Sequence, residues 1–334
     1  MKRRAALQMI AALSAGTAIP PGTLDHVLSG IEEALGTPFD LADWESTVDE
    51  YRQLIDTRPW GAFIPDLTAD IIAVGEILKR RHSPATQADL LRVSARLSGL
   101  LAVQLDDVGQ RRAARTSWSV ARRAATASGD QVVQAWVHAR EAKVGLWAAR
   151  SGDAITALSD QAMRLSGRTH SAPAAMAHAT KVALAARKRD VSTTHSTLKS
   201  LNQMTDSIGG EGWSERSLRW FEAYAYALIN DPRAETALDR SLALFPPEVH
   251  DPVANLQVIR AMVLVRQGGT AEGVDHALSV FEGSQPTTTQ RRLAAELLAI
   301  LPSQGRTLPG AQDLGVIAAG TTGTASRNIP RAAH

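Results

Sequence analysis

Residues 88–105, ADLLRVSARLSGLLAVQL, and residues 111–130, RRAARTSWSVARRAATASGD, are two apolar helical patterns separated by a short turn at Asp106-Asp107-Val108-Gly109. In the second pattern, three residues recur at the i, i+4, i+7 spacing of one α-helix face: Ala114, Trp118 and Ala121. This spacing predicts that Trp118 lies on the buried face of its helix. The two patterns together predict a helical hairpin.

The next segment repeats this arrangement. Residues 131–150, QVVQAWVHAREAKVGLWAAR, predict a helix that ends at Ser151-Gly152-Asp153, and residues 154–165, AITALSDQAMRL, predict its partner. Helix-period patterns broken by polar and glycine turns continue toward the C terminus. The fold is therefore organised around repeated hairpins.

The hairpin turns recur about every 40 residues, close to the period of tetratricopeptide-like repeats. They are predicted at Asp106-Asp107, Gly152-Asp153, Arg189-Asp190, Asn230-Asp231 and Gly268-Gly269. Four of the five residues that stand eight positions before these turns are Gly or Ala, in the series Gly99, Gly145, Val182, Ala223 and Ala261. Small residues are needed where the two helices of a hairpin approach closely, so this series supports the register.

The composition favours an all-α fold. The chain has 334 residues, of which 44% are hydrophobic and only 4% aromatic. Its core is therefore built mainly from Ala, Leu, Val and Ile, and the runs of alternating β-branched residues typical of strands are missing. We predict an all-α, tetratricopeptide-like helical-hairpin solenoid, an α-α superhelix of about six hairpins.

Three regions are predicted along the chain. Residues 1–39 form a basic and apolar N-terminal segment and linker, with a short amphipathic helix from Leu24 to Leu35. Residues 40–301 form the repeat array, which begins with a hairpin of its own over residues 40–82 and ends with a capping helix over residues 289–301. Residues 302–334 are rich in Gly, Thr, Ser, Pro and Ala and are predicted to be a disordered tail.

The first 18 residues allow a second interpretation. Arg3-Arg4, a short apolar run and Ala18 before Pro20 are compatible with a twin-arginine export signal. A helical-repeat protein exported through this signal is the alternative to a cytoplasmic protein. The apolar run is too short to span a bilayer, and we expect no membrane insertion.

Three segments resemble a known family. They are GQRRAARTSWSVARRAATASGD (109–130), WVHAREAKVGLWAARSGD (136–153) and EAYAYALINDPRAETALDRSLALFPPEVHDPVANL (222–256). These segments look like the tetratricopeptide-like C-terminal region of actinobacterial helix-turn-helix transcriptional regulators of the XRE type. The resemblance covers roughly residues 40–310.

The resemblance implies a cytoplasmic regulatory sensor that binds a protein or peptide and passes a change in curvature or dimerisation to a partner. Members of the family carry a DNA-binding helix-turn-helix domain ahead of the array, and we expect that this chain lacks it. A homodimer is compatible with such a role.

The sequence gives no sign of an enzyme. The nine histidines include no pair at the i, i+4 spacing of a helical metal site, and there is no cysteine, glycine-rich phosphate loop or G-x-S-x-G motif. We therefore expect no catalysis, no metal and no cofactor.

The charge does not favour nucleic acid as a direct partner, because the net charge is only +2. Arg111, Arg115 and Arg122 share one helical face, which suits an anionic partner. Solvation and ion pairs with neighbouring helices are the interpretation that we favour.

A concave groove lined by the first helix of each hairpin is the predicted binding surface. Setting the register by the small residue before each turn directs seven residues toward it: Ala142, Leu146, Trp220, Tyr224, Asn255, Val258 and Met262. Trp136, Trp147, Trp220 and Tyr224 are candidates for stacking on a ligand, or else they fill gaps between hairpins. The predicted ligand-binding residues are Trp220, Tyr224, Asn255, Met262 and Arg266, with Asn255 and Arg266 pairing a peptide backbone.

Overall fold

The computed structural model describes residues 40–55, 58–148, 150–208, 212–283 and 285–320. The chain divides into two compact units, Met1–Trp44 and Glu45–His334. The predicted linker and export signal within residues 1–39, and residues 321–334 of the predicted tail, lie outside the described residues.

The described residues contain fourteen α-helices, one 3₁₀ turn and no strand, which confirms the all-α class. The helices are α1 (Leu41–Leu54), α2 (Ile64–Leu78), α3 (Pro84–Asp107), α4 (Arg111–Ser128), α5 (Gln131–Gly145), α6 (Gly152–Ser166), α7 (Ala172–Arg187), α8 (Val191–Ser207), α9 (Glu215–Ile229), α10 (Ala234–Leu242), α11 (Asp251–Arg266), α12 (Thr270–Phe281), α13 (Thr288–Ile300) and α14 (Pro309–Ala319). The 3₁₀ turn is Gly305–Thr307.

From α3 onward the helices pack in sequential pairs, from α3 with α4 to α13 with α14. We call α3, α5, α7, α9, α11 and α13 the first helices. Each first helix also packs against the next one, and α13 makes contact with α3. The last of the first helices, α13, is therefore a neighbour of the earliest one, α3.

Hydrogen bonds join the start of α13 to the end of α3. Thr288, the first residue of α13, donates from Oγ1 to the carbonyl oxygens of Asp106 at 2.7 Å and Asp107 at 3.3 Å. The donor and the acceptors are separated by more than 180 positions in the sequence. This contact joins the first and last hairpins of the row.

In four hairpin turns the first helix ends with the same backbone conformation. A residue with positive φ follows the helix in each of them: Gly109 (79°), Arg189 (56°), Asn230 (59°) and Gly268 (99°). A left-handed residue at this position lets the orphan carbonyls of the last helical turn be capped. The predicted turns at Arg189-Asp190, Asn230-Asp231 and Gly268-Gly269 are confirmed.

The other two predicted turns are displaced. Asp106 and Asp107 are the last residues of α3, because the left-handed residue that ends this helix is Gly109. Gly152 and Asp153 are the first residues of α6, whose N-cap is Ser151. In both cases the polar pair belongs to a helix end rather than to the turn itself.

Gly99 allows α3 to approach the next first helix, α5. A Cβ atom at Gly99 would lie 2.7 Å from Cζ3 of Trp136 on α5 and 3.6 Å from Trp118 on α4. Gly145 instead faces its own hairpin partner, since its Cβ would lie 3.3 Å from Ile155 of α6. Small residues before the turns thus serve both kinds of helix contact.

The predicted hairpin over residues 40–82 is not formed as a closely packed pair. Helix α2 packs against α3, and α1 is linked to α2 by a hydrogen bond from Tyr51 Oη to Asp70 Oδ2 at 2.6 Å. Leu67 and Val74 are the buried residues of α2. Helix α2 therefore has an apolar face, and the described neighbour on which it packs most is α3.

The prediction of a disordered tail from residue 302 is wrong for residues 305–319. Helix α14 packs against both α12 and α13, and Ala311 and Leu314 are buried. These residues stand at i and i+3, so the segment has an apolar face in spite of its small-residue composition. Helix α13 is consequently the first helix of a sixth hairpin and not a terminal cap.

The arginine face of α4 behaves as an ion-paired and solvated surface. Arg122 forms an ion pair with Glu141 of α5, and Arg150 binds the same carboxylate at 2.6 Å. Arg111 and Arg115 are exposed. The carboxylate of Glu141 is buried, so its two partners offset the cost of removing its charge from water.

Gly273 is the tightest contact between α11 and α12, and we expect Gly273→Ala to destabilise the fold. A Cβ there would lie 2.7 Å from the carbonyl oxygen of Ala261 and 2.7 Å from Cγ2 of Val265. The expected loss is about 1–3 kcal/mol of unfolding free energy from overpacking. Gly75→Ala is the matched control, because its Cβ would meet nothing within 4 Å; it should gain about 0.5–1 kcal/mol from helix propensity. Denaturant titration measures both, and a stabilised Gly273→Ala protein would contradict the close approach.

Trp118 is fully buried, as predicted, and donates from Nε1 to Asp106 Oδ2 at 3.0 Å. We expect Trp118→Ala to lose about 3–5 kcal/mol of unfolding free energy, the range for truncating a buried aromatic side chain. Val120→Ala, on the exposed side of the same helix, should change stability by less than about 0.5 kcal/mol. Equal midpoints for the two variants in urea would show that Trp118 does not support the core.

A tryptophan-lined candidate binding cavity

The first helices surround a cavity of about 570 Å³, which we call the central cavity. Its walls come from α1, the loop that precedes α2, α3, α5, the loop that precedes α9, and the N-terminal turns of α9, α11 and α13. Cavities of roughly 300–1,000 Å³ are the usual size of small-molecule sites. The volume is therefore suited to a ligand of modest size.

Five of the seven tryptophans of the chain line this one cavity. They are Trp60, Trp136, Trp147, Trp213 and Trp220. Trp147 and Trp220 meet edge to face, with ring centroids 5.7 Å apart and an interplanar angle of 89°. Trp213 stacks on Phe221, which also lines the wall, at 6.3 Å. The walls are thus broad and aromatic.

Some buried polar atoms in the described part of the chain have no hydrogen-bond partner, and two wall residues, Trp60 and Asn255, each carry one. These two atoms are Nε1 of Trp60, a donor, and Oδ1 of Asn255, an acceptor, and both are buried. Trp220 differs, because its Nε1 donates to the carbonyl of Pro252 at 3.4 Å. Buried polar groups are normally paired, so the Nε1 of Trp60 and the Oδ1 of Asn255 are exceptions among the wall residues.

Helix α5 and the turn that follows it contribute two tryptophans and two cations to the cavity wall. Trp136, Arg140 and Lys143 stand at i, i+4 and i+7 on α5 and therefore share one helix face. Trp147 also lines the wall and lies two residues beyond Gly145, the last residue of α5.

The other charges on the wall include Arg52, Asp49 and Arg216. Arg52 is paired with Asp49 at 2.8 Å. Arg216 is exposed and lies over the ring of Phe245, 5.3 Å from its centroid; among the described residues no carboxylate forms an ion pair with it. Cationic side chains therefore exceed the ionised carboxylates on the wall.

Asp107 is the unusual acid of the cavity. Burial raises the pKa of its carboxyl group to about 8; Arg140 and Lys143 oppose that shift, while Asp106 and Asp251 add to it. Burial likewise raises the pKa of Asp106, whose carboxylate accepts the Trp118 hydrogen bond. At neutral pH Asp107 is thus mainly a neutral O–H donor, next to two cations.

A buried polar cluster lies beside the aromatic wall and connects four first helices. Arg187 of α7 contacts Tyr224 Oη and Glu296 Oε1 from Nε, each at 2.9 Å, and donates from Nη1 to the carbonyl of Leu146 at 2.7 Å. Tyr224 in turn donates to Glu296 Oε2 at 2.8 Å. The guanidinium of Arg187 also lies over the ring of Trp147, 5.0 Å from its centroid. This Arg187 cluster supports the cavity wall from behind.

The structure separates the five residues predicted to bind a ligand. Trp220 and Asn255 line the central cavity. Tyr224 and Met262 are fully buried in the core, Tyr224 as part of the Arg187 cluster. Arg266 donates from Nη2 to the carbonyl of Leu228 at 3.0 Å, and burial lowers its pKa. Ala142, Leu146 and Val258, also predicted to face the groove, are buried as well.

Sequence reasoning missed the residues that reach the cavity from loops and helix ends. Trp213 lies in the loop before α9, where it is buried and donates from Nε1 to Thr205 Oγ1 at 2.9 Å. Trp60 lies in the loop before α2, and Asp107 ends α3. The sequence around these residues shows a tryptophan beside a glycine at Trp60 and Trp213 and an acid pair at Asp106-Asp107, and neither pattern identifies a cavity wall.

Comparisons with protein-family models, with curated proteins and with solved structures give no match for this chain. Across the described residues, none of the helices has the length and apolar character needed to cross a membrane. Within the same ranges no group of three or more His, Asp or Glu side chains is placed to hold a metal ion.

We expect Asp107→Asn to increase the unfolding free energy at pH 8 more than at pH 4. The carboxyl group has an ordinary pKa of 3.8 in the unfolded chain and about 8 in the fold. Between these values the unfolded chain releases a proton that the folded chain retains. Asp107 therefore lowers the unfolding free energy, and this loss increases as the pH rises to about 8 and is constant above it. Below pH 4 both states are protonated and the neutral amide is a close substitute. The melting temperatures of parent and variant at the two pH values measure this, and an equal difference at both would contradict a neutral Asp107.

Proposed function

We propose that this chain is a regulatory sensor module whose central cavity binds a peptide or another small ligand. Binding would be passed to a partner protein, as the resemblance to XRE-type regulators implies. The observation that carries this proposal is the central cavity itself, with aromatic walls, a buried donor and a buried acceptor that lack partners, and the size of a ligand site.

The packing of the helices supports a tetratricopeptide-like solenoid. Besides the pairing within hairpins and between first helices, the second helix of each hairpin from α4 to α10 also packs against the following first helix. Stacking of each hairpin on its neighbours is the organisation of helical-repeat proteins, which bind ligands on the surface formed by their first helices. The central cavity is formed by that surface.

The contact between α3 and α13 offers a way to transmit binding. Asp107 and Thr288 meet at this contact, and both also line the cavity. A ligand that touches both sides favours the closed contact over any opened arrangement, by its difference in affinity for the two. A partner that senses the spacing of the first and last hairpins would then respond to the ligand.

The test is a search for peptide ligands followed by variants of the wall. Pools of random pentapeptides, each pool with one position fixed, are titrated while tryptophan fluorescence is followed, because five indoles line the cavity. We expect the best pool to bind, and calorimetry with single peptides from it to show losses of about tenfold or more for Asn255→Ala and Trp220→Ala. Val132→Ala, on an exposed position of α5, is the matched control and should bind like the parent.

Binding of a peptide is excluded if no pool binds the folded parent. The proposal fails if both wall variants, folded by circular dichroism, bind as tightly as the Val132→Ala control. The second result would place the binding surface outside the central cavity.

A further inference from the structure

An open groove of about 860 Å³ lies along α3, between α2 and α4, and we call it the outer groove. Both α2 and α4 pack against α3. The α3 residues that line it stand at i, i+3 and i+7 and share one helix face: Ser98, Leu101 and Leu105. Leu100 and Val103, which line the central cavity, stand two positions after Ser98 and Leu101, about 200° around the helix. The outer groove and the central cavity therefore lie on opposite faces of α3.

The surface of the outer groove is mainly apolar. Ile71 of α2, Leu101 and Leu105 of α3 and Val120 of α4 line it, and Val120 is 42% exposed to solvent. Of the six large apolar residues that are exposed in the described part of the chain, three lie on or directly beside this lining: Ile72, Val108 and Val120. Exposed apolar side chains gathered in one region are typical of an interaction site.

Two hydroxyl groups of the lining are already paired within the protein. Ser117 Oγ donates to the carbonyl oxygen of Ser98 at 2.7 Å, and Thr116 Oγ1 donates to that of Arg112 at 3.2 Å. A partner therefore gains little from polar contacts with these residues. Burial of apolar surface is the main source of affinity that the outer groove offers.

The charged side chains that line the outer groove are Arg111 and Arg112, both exposed at the start of α4. Within the described residues no carboxylate forms an ion pair with either of them, whereas Arg122 of the same helix is paired with Glu141. Arg115 follows Arg111 by four positions, a spacing at which like charges on a helix repel. Acidic side chains of a partner would reduce this repulsion, so the outer groove is electrostatically complementary to them.

The dimensions of the outer groove match one short helix. Its lining runs along α3 from Ser98 to Leu105 and along α4 from Arg111 to Val120, about 10–14 Å at the rise of an α-helix. This length accommodates three apolar side chains of a bound helix at i, i+3 or i+4, and i+7. A nucleic acid would leave the apolar lining without contacts, and a second copy docked symmetrically through this groove would bring the two arginine pairs together.

We propose that the outer groove docks an amphipathic helix of a partner protein, with the apolar face of that helix on Leu101, Leu105 and Val120 and its flanking acidic residues at Arg111 and Arg112. Apolar burial supplies most of the affinity, and the exposed ion pairs select the charge of the partner. The inference goes beyond the proposed function, because this surface is separate from the central cavity and does not depend on a ligand there.

The first experiment lets the protein select the charge of the helix. A phage-displayed library of helical peptides carries apolar residues at the anchor positions and an equal mixture of Glu, Gln and Lys at the flanking positions. Peptides enriched on the folded parent over the Val120→Gln protein are retained as groove-dependent. We expect Glu to exceed Lys in these peptides by about threefold or more, because an exposed attractive pair replaces a repulsive one. Excess Lys, an unchanged mixture, or no groove-dependent peptide would overturn the inference.

The second experiment measures the affinity of one selected peptide by fluorescence anisotropy. Val120→Gln should weaken binding by about fivefold through lost apolar contact. Arg112→Glu should weaken it by about tenfold, and by less than about twofold when Gln replaces Glu in the peptide. Arg115→Glu makes the same charge change on the exposed surface of α4 outside the groove lining; this matched control should change the affinity by less than about twofold at physiological salt. Equal losses for Arg112→Glu and Arg115→Glu would indicate a general charge effect and refute docking in the groove.

Other occupants of the outer groove give different results. A parent dimer in analytical ultracentrifugation that becomes a monomer in the Val120→Gln protein would assign the groove to a second copy of this chain. Binding of a labelled DNA duplex that is lost in the Arg112→Glu protein would assign it to nucleic acid. Either result contradicts the inference. Val120 and Arg112 do not line the central cavity, so a failure of these experiments leaves the proposed function standing.

Discussion

The interaction on which the rest of the structure depends is the buried guanidinium of Arg187. It joins its own helix α7 to α5, α9 and α13 through one carbonyl, one phenol and one carboxylate. A charge removed from water in this way is tolerated only while its partners stay in place. The same guanidinium lies over Trp147, so the contacts that hold Arg187 in place also position a wall of the central cavity. Burial raises the pKa of Tyr224 well above its ordinary value, which keeps this phenol a donor to Glu296.

Much of the hairpin arrangement could be predicted from local patterns. Helix periodicity around Trp118 and left-handed positions at residues such as Asn230 act within a few residues, so one sequence carries their signal. Helix α14 was not predicted, because its apolar face contains small residues whose burial depends on α12 and α13. The packing of α2 against α3 is likewise a contact between separate helices, and no local sequence motif predicts it.

The candidate site was harder to predict, because the central cavity is formed by helices that are far apart in the sequence, among them α3 and α13. In α9 and α11 the wall uses the first turns, with Trp220 and Asn255, whereas Tyr224 and Met262 lie farther along the same helices in the core. A register set by the small residue before the turn cannot tell these positions apart. Asp107 gains its raised pKa from burial, which no pattern within α3 reveals.

The hydrogen bond from Thr288 to the end of α3 has a consequence for how the chain unfolds. A linear stack of hairpins has two free ends, and it frays from them because each terminal repeat has a single neighbour. Here the last first helix is tied to the earliest one, across more than 180 positions of sequence. The contact between α13 and α3 joins residues that are far apart in the sequence, so the chain loses loop-closure entropy before it gains the contact. This slows folding. Once the contact is formed, both terminal hairpins have neighbours on two sides, and the hairpins open together instead of peeling away one at a time.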